Sequence, residues 1–410
     1  MERFVSFAGL FVMMGLAWLM SSHKRTIQWR TIGGGLALQF IFAYLTLRTA
    51  PGQALFAKLG DVFTSLLGFV DAGSVFVFGL PSQGDDDGLL LLDTFAFGIL
   101  PSIIFFSSLM SILYHFHVMQ RIVRLTAVVM QRALNISGAE SLSVAANIFL
   151  GQIEAPLVVR PYLSTMTQSE LMTIMMAGFA TVAGGVLAAY VKMGIDAGHL
   201  VTASVIAAPA SIVIAKIMQP EIEEPLTRGR MVVEVETGTI NAIEAAAVGA
   251  LDGLKLALQV GAIIIAFLAL IAMFKFAFEW PLGLLGSELT LEQSLGYLFA
   301  PFAWAMGIEW GDCLKAGELL GTRMLSNEFI AYMQLGELMK GEQDLSPRSV
   351  VILTYALCGF ANFGSIGVQL GGIGAMAPNR QADLARLGLR AMLGGTLAGF
   401  MTACIAGMLI

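Results

Sequence analysis

The stretch of residues 147–160 carries four polar side chains inside an otherwise apolar part of the chain. They are Asn147, Gln152, Glu154 and Arg160. Burying an amide in an apolar environment without a partner costs about 2–7 kcal/mol, and an unpaired carboxylate costs more. Because Gly151 and Pro156 interrupt the stretch, we expect a hairpin that enters a membrane and holds these groups against a solute, an ion or protein.

A second stretch, around Glu328, repeats the same order of features. In each stretch a segment with a carboxylate precedes a capped helix start and then a Gly-Phe-Ala run with small polar residues, at 178–185 and at 359–365. The capping signals are the capping box from Thr167 to Glu170 and Ser346 before Pro347. Paired spans interrupted by glycine are typical of a transporter site near the bilayer midplane, where freed backbone carbonyls bind a cation.

Simpler explanations stay open for each of these features. The Gly-Phe-Ala runs are compatible with close helix packing, Glu154 with a buried pair to Arg160, and Glu328 with a surface loop. We expect the charged residues that precede Glu328 to form solvated pairs. These are Asp312, Lys315, Glu318 and Arg323.

The composition is that of an all-α polytopic membrane protein. Of the 410 residues, 57% are hydrophobic and 13% are charged, which is about half the charge density of soluble domains. Runs long enough to cross a bilayer, which takes about 20 residues, predict about eight spans. The predicted spans are 4–20, 32–48, 93–114, 168–190, 199–217, 257–279, 347–369 and 388–409.

Other apolar stretches are too polar or too interrupted to be ordinary spans. These are 52–80, 118–134, 138–163, 240–255, 283–306 and 310–335. In the stretch 118–134, arginines alternate with aliphatic residues, so we expect a helix that lies in the membrane interface.

The distribution of charge predicts the orientation of the spans. Lysines and arginines follow the first, third and seventh spans, which places those loops inside. The second span is followed by Asp61, Asp71 and the acidic run 85–87. With eight spans both termini lie outside. Span four then runs outward and span seven inward, so the two stretches form an inverted repeat.

Several function classes leave no signal in the sequence. It has no basic patch for nucleic acid and no CxxC or HExxH metal motif, and its three scattered cysteines are expected to be free thiols. An enzyme that uses Glu154 and Glu328 as an acid–base pair would lack a nucleophile triad and a cofactor motif. A channel stays open as an alternative to a transporter, because paired broken spans suit both.

Four motifs resemble those of the concentrative nucleoside transporters, and the similarity runs from about residue 93 to the C-terminus. The motifs are Gly151–Pro161, Gly184-Gly185-Val186, Asn327–Tyr332 and Cys358–Ser365. The resemblance implies a sodium-coupled symporter for nucleosides of the uridine, cytidine or adenosine type. It also implies a homotrimer in contact with lipids of a bacterial inner membrane, with two re-entrant hairpins, broken helices and an elevator-type transport domain.

The resemblance also divides the chain into four segments. They are 1–115, the scaffold with the first three spans; 116–218, the first transport repeat with hairpin 1 and spans four and five; 219–282, a linker, an amphipathic helix and scaffold span six; and 283–410, the second transport repeat with hairpin 2 and spans seven and eight.

The site residues follow from the same resemblance. At the base end of a nucleoside they are Gln152, Ile153, Glu154 and Val186, and at the ribose end Glu328, Phe360, Asn362 and Ser365. The implied sodium ligands are Asn147, Leu150, Thr181 and Val182, with main-chain oxygens from the last three. A carboxylate can accept two ribose hydroxyls, and hard cations prefer oxygen ligands. Retention of Asn147 and Thr181 favours sodium over the protons that other members use.

One position departs from the family pattern. The family usually has Ser or Thr where this chain has Ile153. The change removes a hydroxyl near the expected nucleobase, so a related solute on the same fold stays open as an alternative.

Overall fold

The computed structural model describes residues 1–78, 94–229, 239–284, 290–340 and 345–410, and within these ranges the fold is all-helical. In the first half the helices are α1 Glu2–Leu19, α2 Trp29–Arg48, α3 Ala50–Phe78, α4 Leu100–His115, α5 Val118–Leu134, α6 Gly138–Asn147, α7 Glu154–Leu157, α8 Arg160–Leu163, α9 Gln168–Ala180, α10 Gly184–Lys192 and α11 Ala197–Met218. In the second half they are α12 Ala242–Leu284, α13 Leu291–Ala305, α14 Cys313–Leu325, α15 Glu328–Lys340, α16 Pro347–Leu357, α17 Phe363–Met376 and α18 Gln381–Leu409. The predicted all-α class is confirmed.

Each predicted span falls on a helix or on a pair of helices. Among the described residues, seven helical stretches are long and apolar enough to cross a membrane. Six of them coincide with predicted spans, and the seventh is α3. The two remaining predicted spans fall on α2 and on the short helices α16 and α17. The acidic run 85–87 lies outside the described residues.

Helix α3 has the length of a span, but its contacts place it across one end of the helix bundle. Lys192, the last residue of α10, donates to Asp71 Oδ1 at 2.6 Å. A Cβ atom on Gly198, in the first turn of α11, would lie 3.2 Å from the carbonyl oxygen of Phe56. Because α10 ends and α11 begins at the same end of the bundle, both contacts are at that end. The prediction that 52–80 is not an ordinary span stays a prediction, because α3 is also long and apolar enough to cross a membrane.

Two sets of contacts define the ends of the molecule. At the terminal end, Arg3 Nε donates to Ile410 O at 2.8 Å, so the two chain termini lie together. At the linker end, Arg390 Nη2 donates to Met20 O at 2.9 Å and to Met218 O at 3.0 Å. Eight spans return the chain to its starting side. The contact between Arg3 and Ile410 agrees with such an even number of spans.

The two hairpins enter the bundle from opposite ends. Hairpin 1, residues 138–163, starts and finishes at the linker end, because Lys216 Nζ contacts both Glu140 and the Ser169 hydroxyl. Hairpin 2, residues 313–340, starts and finishes at the terminal end, because Asp312 Oδ2 accepts the Ser346 N–H at 3.1 Å and Arg348 Nη1 donates to Ile410 O at 3.3 Å. This is the geometry that an inverted repeat predicts.

Span four and span seven are each broken in the middle. Helix α9 ends at Ala180 and α10 begins at Gly184, while α16 ends at Leu357 and α17 begins at Phe363. The expected capping box of α9 is present, and Ser346 caps α16. Each break frees backbone groups that a continuous helix would pair.

Two predictions for other helices had different outcomes. Residues 118–134 form α5, which buries one face through Met119, Val123 and Ala127, as an amphipathic helix does. The segment 219–282 was expected to hold an amphipathic helix and span six, and within it the structure has one continuous helix of 43 residues, α12, over Ala242–Leu284. Its charged residues Asp252 and Lys255 are exposed and pair with each other at 3.4 Å. They can therefore remain within a continuous helix.

Buried charges hold the base of hairpin 1. The Lys216 side chain is 3% exposed and pairs with Glu140, which is 1% exposed, and with Glu221 at 3.6 Å. Burial raises the pKa of the Glu221 carboxyl, and the charge of Lys216 acts in the opposite direction. The cluster joins the start of hairpin 1, the end of α11 and the linker.

We expect Lys216→Met to destabilise the fold by about 3–5 kcal/mol, because the Glu140 carboxylate would stay buried without its cationic partner. The double variant Lys216→Met/Glu140→Gln should recover most of that loss. Thermal unfolding of the detergent-purified protein measures both effects. Lys255→Met removes an exposed lysine from a helical pair and is the matched control, with an expected change under about 0.5 kcal/mol. Equal losses in the two single variants would contradict the expectation.

Candidate functional site

A single cavity lies where the tips of both hairpins meet the breaks of spans four and seven. About 150 Å³ of it can hold water-sized molecules. Its walls include every residue expected at the two ends of the solute. These are Gln152, Ile153, Glu154, Val186, Glu328, Phe360, Asn362 and Ser365.

Glu328 is the buried anion of this cavity. It is 4% exposed and begins α15, where the helix dipole favours a negative charge. Its Oε1 accepts the Tyr190 hydroxyl at 3.0 Å, and its Oε2 accepts the Asn362 amide at 3.2 Å. A carboxylate offers about four acceptor positions, so two remain for hydroxyls of a bound molecule. The alternative of a surface loop carboxylate is wrong.

Asn362 has its orientation fixed from both sides. Its amide nitrogen donates to Glu328, and its Oδ1 caps α17 by accepting the Ser365 N–H at 2.9 Å. The Ser365 hydroxyl in turn accepts the Gln152 amide at 3.3 Å. The second repeat therefore holds the carboxylate end of the cavity, and the bond from Gln152 to Ser365 is one of its polar contacts with the first repeat.

Gln152 depends on a residue that the sequence analysis missed. Its Oε1 accepts the amide of Gln369 at 3.2 Å, and Gln369 also donates to Met175 O at 3.0 Å. Gln369 is fully buried. It lies one helical turn after Ser365 in the glycine-rich helix α17, a spacing that could have revealed it.

The carboxylate Glu154 is at the mouth of the cavity. Both Glu154 and Arg160 are exposed, so the alternative of a buried ion pair between them is wrong. Ile153, by contrast, packs against α17, because a Cβ atom on Gly372 would lie 2.7 Å from Ile153 Cγ1. Val186 is 2% exposed and adds a second apolar side chain to the cavity wall.

One wall of the cavity comes from α12, which carries no repeat motif. Leu256, Gln259 and Val260 line it, and Gln259 supplies the polar group. The sequence analysis did not find these residues, because nothing in an apolar span marks the face that turns toward a distant hairpin.

The implied sodium ligands are brought together where the tip of hairpin 1 meets the break of span four. The N–H of Gly184 donates to Phe149 O at 3.0 Å, which joins tip and break. Asn147 is fully buried, and neither its Oδ1 nor its Nδ2 has a hydrogen-bond partner. The Thr181 hydroxyl donates to Ala177 O at 2.9 Å and keeps its lone pairs.

The backbone oxygens at this point are equally available. Among the described residues, the carbonyls of Leu150, Thr181 and Val182 accept no hydrogen bond. A buried amide without a partner is uncommon in native proteins and needs an explanation. Neutral oxygens of this kind fit a monovalent hard cation, and the described residues contain no cluster of three or more His, Cys, Asp or Glu that would hold a transition metal.

Three family models match the chain along most of its length. The C-terminal model of the Na+ dependent nucleoside transporters matches residues 199–407, their N-terminal model matches residues 8–80, and a nucleoside recognition gate model matches residues 96–197. The chain belongs to the Na+ dependent nucleoside transporter family.

Relatives of this family member include mammalian transporters. The mouse sodium/nucleoside cotransporter 1 is 41% identical over 422 residues, and the match covers 100% of this chain and 64% of that protein. The mouse solute carrier family 28 member 3 is 42% identical, and the match covers 100% of this chain and 59% of that protein. The chain thus spans about three fifths of the length of these curated relatives. They are transporters, so the alternative of a membrane enzyme has no support.

Solved structures of a transporter called CNTnw share the fold of this family member. An inward-facing, substrate-bound structure is 40% identical with a TM-score of 0.92, and covers 100% of this chain and 98% of its own. A double variant in an outward-facing state is 40% identical with a TM-score of 0.93, and also covers 100% of this chain and 98% of its own.

Proposed function

We propose that this protein imports nucleosides by symport with sodium, using an elevator-type alternating access mechanism. The proposal rests on one observation, which is that side chains from both repeats line the same cavity. The carboxylate of Glu328 faces it from one side and Gln152 from the other, and the unpartnered amide of Asn147 lies five residues from Gln152.

The ribose is assigned to the end of the cavity that contains Glu328. Two vicinal hydroxyls can donate to its free acceptor positions, and Asn362 and Ser365 lie next to it to complete the contact. A sugar that lacks these hydroxyls would leave acceptor positions of the buried Glu328 carboxylate unfilled. The site would therefore bind it more weakly.

Coupling between ion and solute follows from the shared hairpin tip. The proposed sodium ligands Asn147 and Leu150 precede Gln152 in the same tip, and Thr181 and Val182 precede Val186 in the same break. An ion bound between tip and break holds both base-contacting segments in place. The membrane potential then adds about 2.3 kcal/mol per charge per 100 mV to the driving force.

Movement of the site is assigned to the two repeats. We propose 116–218 and 283–410 as the moving transport domain and 1–115 with 219–282 as the scaffold, whose helix α12 faces the cavity. Inward-facing and outward-facing structures are described for CNTnw. These support alternating access for the present chain.

The surroundings of the protein are also part of the proposal. Apolar side chains exposed on α12, such as Ile265 and Phe274, fit contact with lipid or with neighbouring subunits of a homotrimer. We place the protein in a bacterial inner membrane with both termini on the periplasmic side, which agrees with the pairing of Arg3 and Ile410. Mass measurement of the detergent-solubilised protein tests the trimer.

Uptake into proteoliposomes tests the function. Radiolabelled uridine and adenosine should accumulate above the external concentration when sodium is imposed outside, and equilibrate when it is equal on both sides. A channel would only equilibrate the solute. Accumulation driven by a proton gradient without sodium would instead establish the proton-coupled alternative, and no nucleoside uptake under either gradient would leave a related solute.

Ile153→Thr is expected to change the ranking of purine over pyrimidine nucleosides by about 2- to 10-fold, because one hydroxyl added at the base end is worth about 0.5–1.5 kcal/mol. Competition of unlabelled nucleosides against labelled uridine measures the ranking. Ile153→Val shortens the side chain without adding a donor and serves as the control. Identical competition profiles for the wild type, Ile153→Thr and Ile153→Val would show that residue 153 does not contribute to recognition of the base.

A further inference from the structure

Arg323 is the residue whose position departs furthest from expectation. The sequence suggested a solvated pair near a helix end, and for Lys315 and Glu318 this is correct, since they pair at 3.1 Å with partial exposure. Arg323 instead lies in α14 of hairpin 2 and is 1% exposed, the largest fully buried side chain among the described residues. A buried guanidinium needs an explanation.

Its contacts are with the break of span seven. Arg323 Nη1 donates to Ala356 O at 2.8 Å, and Nε donates to Gly359 O at 3.4 Å. Helix α16 ends at Leu357, so these carbonyls flank the point where helical pairing stops. Gly359 has φ = +126°, a conformation that other residues rarely adopt, so the break is sharply defined. Nη2 has no partner.

Asn147 is a comparable side chain in the first repeat. Each hairpin buries a polar side chain in the last turn of its first helix, Asn147 in α6 and Arg323 in α14. One of them, Asn147, is neutral and unpartnered. The other carries its own positive charge and already donates to the carbonyls.

We propose that Arg323 is a tethered cation that does for the second break what the transported ion does for the first. It is a positioning residue: it holds the Ala356–Gly359 backbone, and through it Phe360 and Asn362, against Glu328. The inference rests on the proposed function, because the roles of the ion and the solute are taken from it.

The test compares Arg323→Met, which keeps the length without the charge, with Arg323→Lys, which keeps the charge. Arg323→Met should weaken nucleoside binding in saturating sodium about 10- to 100-fold, the usual effect of removing a charged hydrogen bond. Arg323→Lys should lose clearly less. Guanidinium chloride at non-denaturing concentration should restore binding to a third variant, Arg323→Ala, whose short side chain leaves space for the guanidinium ion. Isothermal titration with the detergent-solubilised protein gives the three affinities.

Arg348→Met is the matched control. Arg348 also donates to backbone carbonyls, of Gly307 at 3.2 Å and of Gly407, but at the terminal end. The variant Arg348→Met should have a lower melting temperature than the wild type. Guanidinium should not improve its affinity for nucleoside. Equal affinities of Arg323→Met and wild type, or equal losses in Arg323→Met and Arg323→Lys, would overturn the inference.

Two further outcomes keep the test decisive. If Arg323→Met does not fold, a folded and binding Arg323→Lys supports the need for charge, and a failure of both variants to fold overturns it. If the wild type shows no sodium-dependent nucleoside binding, the proposed function fails. The tethered cation is then judged by whether guanidinium raises the melting temperature of Arg323→Ala but not that of Arg348→Ala.

Discussion

Glu328→Ala is expected to abolish nucleoside uptake while the chain still folds and assembles. The substitution removes the acceptor for two hydroxyls of the solute, each worth about 1.5–3 kcal/mol when the acceptor is charged. It also leaves the Tyr190 hydroxyl and the Asn362 amide without their partner. Together these losses correspond to a reduction of at least about 100-fold in uptake at limiting nucleoside.

Uptake of labelled uridine in proteoliposomes measures the effect, and size-exclusion chromatography of the same preparation checks assembly. Glu337→Ala is the matched control, because Glu337 is an exposed carboxylate on the same helix α15. Glu328→Gln keeps the shape and should fail nearly as severely, since it has one acceptor oxygen fewer and no charge. Normal uptake by Glu328→Ala would exclude the ribose role.

The second large effect is expected from Asn147→Leu, which should remove the dependence of nucleoside binding on sodium. A lost charged contact of this kind weakens ion binding about 10- to 100-fold. The same change replaces a buried amide that has no partner with an apolar side chain of similar size. Without sodium the variant should therefore be at least as stable as the wild type.

Thermal unfolding with and without sodium separates the two consequences. The wild type should be stabilised by sodium and Asn147→Leu should not be. Ser141→Ala is the control, because Ser141 is buried on the same helix but its hydroxyl already donates to Ser137 O and Gly138 O. Sodium stabilisation that survives in Asn147→Leu would refute the ion assignment.

Local patterns explain what could be predicted from the sequence. The capping box at Thr167 and the helix start at Ser346 depend on residues three or four apart, and the glycine-interrupted spans break where the small residues are. The hairpin carboxylates stood out because charge is rare in this chain. The resemblance then supplied the site residues, and the structure places those for the solute on one cavity.

Contacts between distant segments explain what could not be predicted. Gln369 reaches Gln152 across 217 residues, and Gln259 faces the cavity only because α12 packs beside it. Arg323 was expected in solvent because its neighbours are charged, yet its partners lie in a break 33–36 residues away. Apolar length alone would make α3 a span, and only the contacts of its Asp71 with Lys192 and of its Phe56 with Gly198 indicate that it lies across an end.

The charge pair at the base of hairpin 1 has a consequence for how the protein is made. Lys216 follows Glu140 by 76 residues, so at about 5–20 residues per second its codon is read about 4–15 s later. During that interval the hairpin carries a carboxylate whose cationic partner has not yet been made, and burying it would be costly. Hairpin 1 is therefore expected to wait at the membrane surface during synthesis and to enter only after α11 has emerged.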